Sequence, residues 1–182
     1  MNFSNDWLME IDDNTYLSVK TIREYFGDEF CLILPAYHSI TGCDTTSFPA
    51  NIGKIRPLTK MLKGKEFHLL RNLGSSINSF KDVTLATKFY HLIMYSGRRN
   101  ESIIDTRVRM YEKQKKKSSM NLISDESSVK HHILRADFQA FIWKQCMDQN
   151  MIVPSIDGSR RWQEKMVWFF QYGTILPNFP RH

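Results

Sequence analysis

The sequence predicts a mainly helical fold with a small β element at its N-terminus. Three observations carry this. Val129, Ile133, Ala136, Ala140, Trp143 and Met147 recur in alternating steps of four and three, the period of one helix face. Phe80, Val83, Thr87, Tyr90 and Met94 keep similar spacing ahead of a stop at Gly97. Near the start, residues 7–11 and 15–17 flank Asp12-Asp13-Asn14, which reads as two short strands about a turn.

The remaining elements follow in order. Ser18 is placed to cap a helix to about Phe26, with Gly27 as its stop. Residues 29–41 read as a buried helix, and Pro35 inside it suggests a start at that proline, because an interior proline costs about 3 kcal/mol. Residues 45–53 read as loop, 56–64 as a short basic helix ended by Gly64, and 67–73 as a further short helix. Ser79 is placed to cap the helix over 80–96. Residues 117–127 are rich in serine, and Ser127 or Ser128 is placed to cap the helix that follows. The wide apolar stripe of that helix predicts burial on most sides. After Pro154 the tail is aromatic and reads as an irregular arm.

Composition narrows the class. The chain has 182 residues, 42% hydrophobic and 13% aromatic, which favours a folded domain with a sizeable core. No apolar run approaches the roughly 20 residues of a membrane span, and residues 1–6 do not form a signal peptide. Cys31, Cys43 and Cys146 are odd in number and widely spaced, which suggests reduced intracellular thiols. Residues 1–30 hold two basic and seven acidic side chains, a net −5, so the rest carries +11 of the total +6. A basic excess of this kind suits a polyanion such as nucleic acid, and equally suits solubility.

The most informative stretch runs from Pro35 to Ser47, with Ile52-Gly53-Lys54 downstream. An apolar segment there breaks at Gly42 and a carboxylate, Asp44, follows. This pattern resembles the centre of flap-endonuclease-like nucleases of the PIN-like superfamily. In those proteins an apolar helix ends in a Gly-x-Asp turn whose Asp helps hold catalytic Mg²⁺, and a nearby helical hairpin grips duplex backbone. Over most of its length the chain resembles uncharacterised transposon-associated animal proteins. Their His-x-x-Thr-Gly-Cys-Asp-Thr-Thr-Ser motif reads here His38 to Ser47, and their Arg-Ala-x-x-Gln-Ala-x-Ile-Trp motif reads Arg135 to Trp143.

The resemblance implies the C-terminal part of an α/β PIN-like domain, with an upstream Asp-x-Asp pair expected before Met1. It also implies a division into a partial PIN-like domain (1–97), a basic connector (98–127) and a core helix with aromatic arm (128–182). Asp44 is the candidate ligand for Mg²⁺ or Mn²⁺, or alternatively a capping side chain that accepts backbone N–H groups. A phosphodiester-cleaving metal pair needs more carboxylates than this one.

Gly53, Lys54, Arg56, Lys60, Lys63 and Lys65 form the candidate nucleic-acid segment, or alternatively a solvated basic helix. Thr45, Thr46 and Ser47 could touch phosphate or satisfy loop backbone, and His38 could act as a base or sit half-buried. His131 and His132 point about 100° apart on a helix, so they are not a metal pair. Lys113–Lys117 reads as a solvated helix end or a nuclear address. Arg135–Trp143 reads as core packing.

Three functions follow as expectations. One is a catalytically incomplete, transposon-derived nuclease relative that keeps nucleic-acid affinity. Another is a metal-dependent nuclease completed by upstream residues or a partner. The last is a protein-interaction module using Trp162, Trp168 and Phe169.

Overall fold

The computed structural model describes residues 6–49, 51–75, 80–114, 121–146 and 148–151. The architecture is mainly helical with a small two-stranded sheet. Strands β1 (Leu8–Asp12) and β2 (Thr15–Ser18) pair antiparallel about a turn in which Asn14 is left-handed at φ 60°. The hairpin is exposed throughout β1, so it stands on the body rather than within it.

Ser18 caps helix α1 (Val19–Phe26) as predicted: its Oγ accepts the Thr21 N–H at 2.9 Å. Gly27, at φ 80°, ends α1 and starts α2 (Asp28–Ile40) in the same step. Helix α2 runs straight across Pro35 rather than starting there. Its burial is also one-sided. Phe30, Ile33, Ala36, Tyr37 and Ile40 face the core, while Leu32 is 72% exposed.

Helix α3 (Ile55–Gly64) is followed by Lys65 in the left-handed region at φ 50°. Lysine, not Gly64, therefore makes the left-handed stop, and only one 3₁₀ turn (Glu66–Leu69) forms where a longer helix was expected. Helix α4 (Phe80–Lys88) continues as a π turn (Phe89–Met94), with the Tyr95 N–H reaching back to Tyr90. Ser79 lies outside the described residues.

Helix α5 (Ile103–Gln114) occupies the expected connector. Ile123, also in that stretch, is fully buried, and Arg107 bonds its carbonyl. Helix α6 (Glu126–Lys144) starts at Asp125, not at a serine. The Asp125 carboxylate accepts the Ser128 N–H at 3.0 Å and the Ser128 hydroxyl at 2.6 Å. An ionised cap also complements the positive end of the helix.

One hydrophobic cluster joins α2, α3, the 3₁₀ turn, the π turn, Ile123 and α6. Phe89, Ile133 and Leu70 are fully buried within it, and leaving water contributes about 1.5–3 kcal/mol for each such side chain. Ala136 and Ala140 on α6 are small enough for residues 73–74 to lie close: an added Gly74 Cβ would sit 2.6 Å from the Ala140 Cβ. The Asp137 carboxylate accepts the Gly74 N–H at 2.7 Å, and Lys144 bonds the Leu73 carbonyl at 2.7 Å. The motif Arg135–Trp143 thus fills a packing role on the buried side of α6.

Candidate nucleic-acid interface

The end of α2 is closed by hydroxyls and a lysine. Thr41 Oγ1 donates to the Tyr37 carbonyl at 2.7 Å and Thr46 Oγ1 to the Ser39 carbonyl at 2.6 Å. Cys43 and Thr46 exchange backbone bonds of 3.2 Å, which makes residues 43–46 a tight turn. Lys54 reaches back across it. Its ammonium bonds Thr41 Oγ1 at 2.9 Å and the carbonyls of His38 and Gly42. Oxygens gather at this C-terminal end of the helix, where a cation suits the dipole. Lys54 is therefore turned inward, and burial lowers its pKa. The Tyr37 hydroxyl bonds the Lys54 carbonyl, and burial pushes that phenol up to about 12.

Gly42 sits at φ 103° under Phe48, whose Cα would lie 2.9 Å from an added Cβ. Burial of the Cys43 thiol opposes its ionisation, but the Thr45 and Thr46 hydroxyls and backbone bonds outweigh this and lower its pKa.

Four contacts fix the end of α2 and this turn to α6. Thr45 Oγ1 donates to Gln139 Oε1 at 2.7 Å. The His38 ring lies 5.2 Å from that of Trp143. His132 is buried, and its Nε2–H donates to the Ile40 carbonyl at 2.8 Å, so Nδ1 is left to accept from Ser47 Oγ at 3.2 Å. Burial lowers the His132 pKa and keeps the ring neutral.

Asp44 is exposed at the tip of the turn. Among the described residues its carboxylate forms no hydrogen bond, so it does not act as the cap of this turn. His38 stands near it, exposed rather than half-buried: partial desolvation and Lys54 lower the imidazole pKa, and Asp44 opposes them. Among the described residues no group of three or more His, Cys, Asp or Glu side chains is placed to hold a metal ion. One carboxylate and a histidine do not make an Mg²⁺ or Mn²⁺ site by themselves.

Helix α3 divides cleanly. Pro57 and Met61 are buried, while Arg56, Lys60 and Lys63 are exposed at i, i+4 and i+7, one stripe along the helix. Lys65 is exposed beyond it. Gly53 has an ordinary φ and open space where a Cβ would go, so the backbone does not require glycine there. Lys60 bonds the Leu92 carbonyl and lies 3.4 Å from Ser96 Oγ, which Arg56 also approaches at 3.5 Å.

Beside Lys60 the surface opens into a cleft of about 280 Å³. Lys60, Lys88, Arg99, His68 and Glu66 line it together with Leu85 and Leu92. Arg99 lies 3.5 Å from Glu66, and His68 lies 3.7 Å from the same carboxylate. The loop bearing Arg98 and Arg99 is held from behind. The Gly97 N–H bonds the His91 carbonyl at 2.9 Å, and an added Gly97 Cβ would collide with the His91 ring. His91 in turn bonds Thr106, Thr106 donates to Glu101, and Arg109 grips Glu101 through two nitrogens at 2.8 and 2.9 Å. The Arg109 guanidinium holds the Glu101 pKa at about 2.

His68, Lys88 and Arg99 carry no sequence motif, and only folding brings them to Lys60. Lys115–Lys117 and the tail residues Trp162, Trp168 and Phe169 lie outside the described residues. Among the described residues no helix is long and apolar enough to cross a membrane. A scan of protein-family models finds none that matches the chain, and searches of curated proteins and of solved structures likewise find no match.

Proposed function

We propose that this chain binds nucleic acid through the exposed basic face of α3, as a transposon-derived, catalytically incomplete relative of PIN-like nucleases. The observation that carries the reading is the stripe Arg56, Lys60 and Lys63, opposite a buried face and continuous with the cleft at Lys60. Exposed cations in line along a helix suit the regularly spaced charges of a phosphate backbone. In this reading the incomplete donor set around Asp44 leaves the isolated chain a binder.

The test is affinity for duplex and single-stranded DNA against salt concentration. Each phosphate contact contributes about −0.9 to the log–log slope for duplex. Replacing Arg56, Lys63 and Lys65 with alanine is expected to flatten that slope by up to about 2.7. Absence of binding at low salt rejects the proposal.

A second reading has one observation in its favour. The Asp44 carboxylate is exposed on a tight turn and forms no hydrogen bond among the described residues, open to a site whose other carboxylates come from upstream residues or a partner. Mg²⁺- or Mn²⁺-dependent cleavage that appears only when the completing segment or partner is added, and is abolished in Asp44→Asn, would establish that reading in place of the first.

A further inference from the structure

The cleft beside Lys60 differs in kind from the stripe that leads to it. It is concave, and its lining combines the leucines Leu85 and Leu92 with cationic side chains. Lys60, Lys88 and Arg99 against Glu66 leave two net positive charges, His68 aside. Its 280 Å³ falls just below the range of ligand pockets, which begins at about 300 Å³, room for part or all of one nucleotide-sized group and not for paired strands.

A phosphodiester within a strand carries one negative charge. A phosphate monoester carries about −1.5 to −2 at pH 7 and three strong acceptor oxygens. The monoester matches two net positive charges and three separate donors, and a base supplies a flat face for the leucines. We infer that the cleft holds a nucleoside monophosphate, either free or as the phosphorylated end of a strand. This rests in part on the proposed nucleic-acid binding, since the strand end would arrive along α3. The Glu66 carboxylate faces the same space. It orients Arg99 while weakening the site for an anion, so it tunes affinity downward.

The experiment uses fluorescence anisotropy on the full chain at low salt. The probes are a short labelled single strand with a terminal phosphate, the same strand with terminal hydroxyls, and a closed circle of equal length. AMP serves as competitor. The phosphorylated strand is expected to bind about tenfold tighter than the other two, the effect of one charge-assisted hydrogen bond. AMP should compete for that difference. Lys88→Ala and Arg99→Ala, both at exposed positions, should erase it, and Glu66→Gln should enlarge it. Arg56→Ala should weaken all three strands alike.

Equal affinity for the three strands overturns the pocket and leaves the basic face standing. Binding of AMP with no binding of any strand keeps the pocket and removes the nucleic-acid reading. Failure of AMP and all strands removes both.

Discussion

Lys54 and Lys88 are lysines of the same basic chain, and their surroundings set them to opposite tasks. Lys54 bonds three oxygens at the end of α2 and serves the turn. Lys88 stands at the rim of the cleft and forms no ion pair among the described residues. The same contrast holds for the two regions as wholes. The stretch Thr41–Thr46 is dense in motif letters, and Thr41 and Thr46 hold backbone while Thr45 ties the turn to α6. The cleft has no motif, yet its charges face solvent. A run of distinctive residues therefore marks demanding architecture as readily as it marks chemistry.

The strongest way to break this comparison is at Gly42. Alanine there would adopt a left-handed φ and meet the Phe48 backbone. We expect a loss of roughly 3 kcal/mol in urea unfolding. Stability kept within about 0.5 kcal/mol would show that the turn is not architecture. Next in size, Lys54→Ala removes the cation from the α2 carbonyls and is expected to cost about 1–2 kcal/mol. Lys88→Ala should change stability by less than about 0.5 kcal/mol, and equal losses at both lysines would erase the distinction between the regions.

A smaller effect tests the support behind the cleft. The Glu101 pKa is depressed in the fold, to about 2 from its ordinary 4.5. Its stabilising contribution is therefore complete above pH 4.5 and is lost as pH falls towards 2. Arg109→Met should flatten that part of the stability–pH curve, read from thermal midpoints at each pH. The smallest effect is at Gly53, where a Cβ meets nothing within 4 Å. Gly53→Ala should leave stability within about 0.5 kcal/mol and leave DNA affinity unchanged.

Much of the fold was legible from local chemistry. Ser18 and Gly27 bound α1 as their side-chain and backbone preferences require, and the apolar stripe of α6 lies in the core. The deviations have physical causes. Pro35 lies inside α2, where Ile33, Ala36 and Tyr37 gain burial on either side of it. Asp125 outcompetes Ser127 and Ser128 because an ionised cap accepts from both the backbone and the hydroxyl of Ser128. The π turn keeps Phe89, Tyr90, Ile93 and Met94 buried together, and a period of 3.6 does not anticipate it.

The candidate site was legible only in part. The exposed stripe of α3 follows from spacing, but the inward turn of Lys54 depends on where α2 ends. The cleft draws on residues 60, 66–69, 85–93 and 97–99, which no local pattern connects.

The Cys43 thiol gives the turn a built-in clock. It is buried between two threonine hydroxyls, whereas Cys146 is exposed and Cys31 is half-buried. An alkylating reagent will label Cys146 at once and reach Cys43 only when residues 43–46 come apart. The lag between the two labels measures how often the end of α2 opens, with no probe added to the chain.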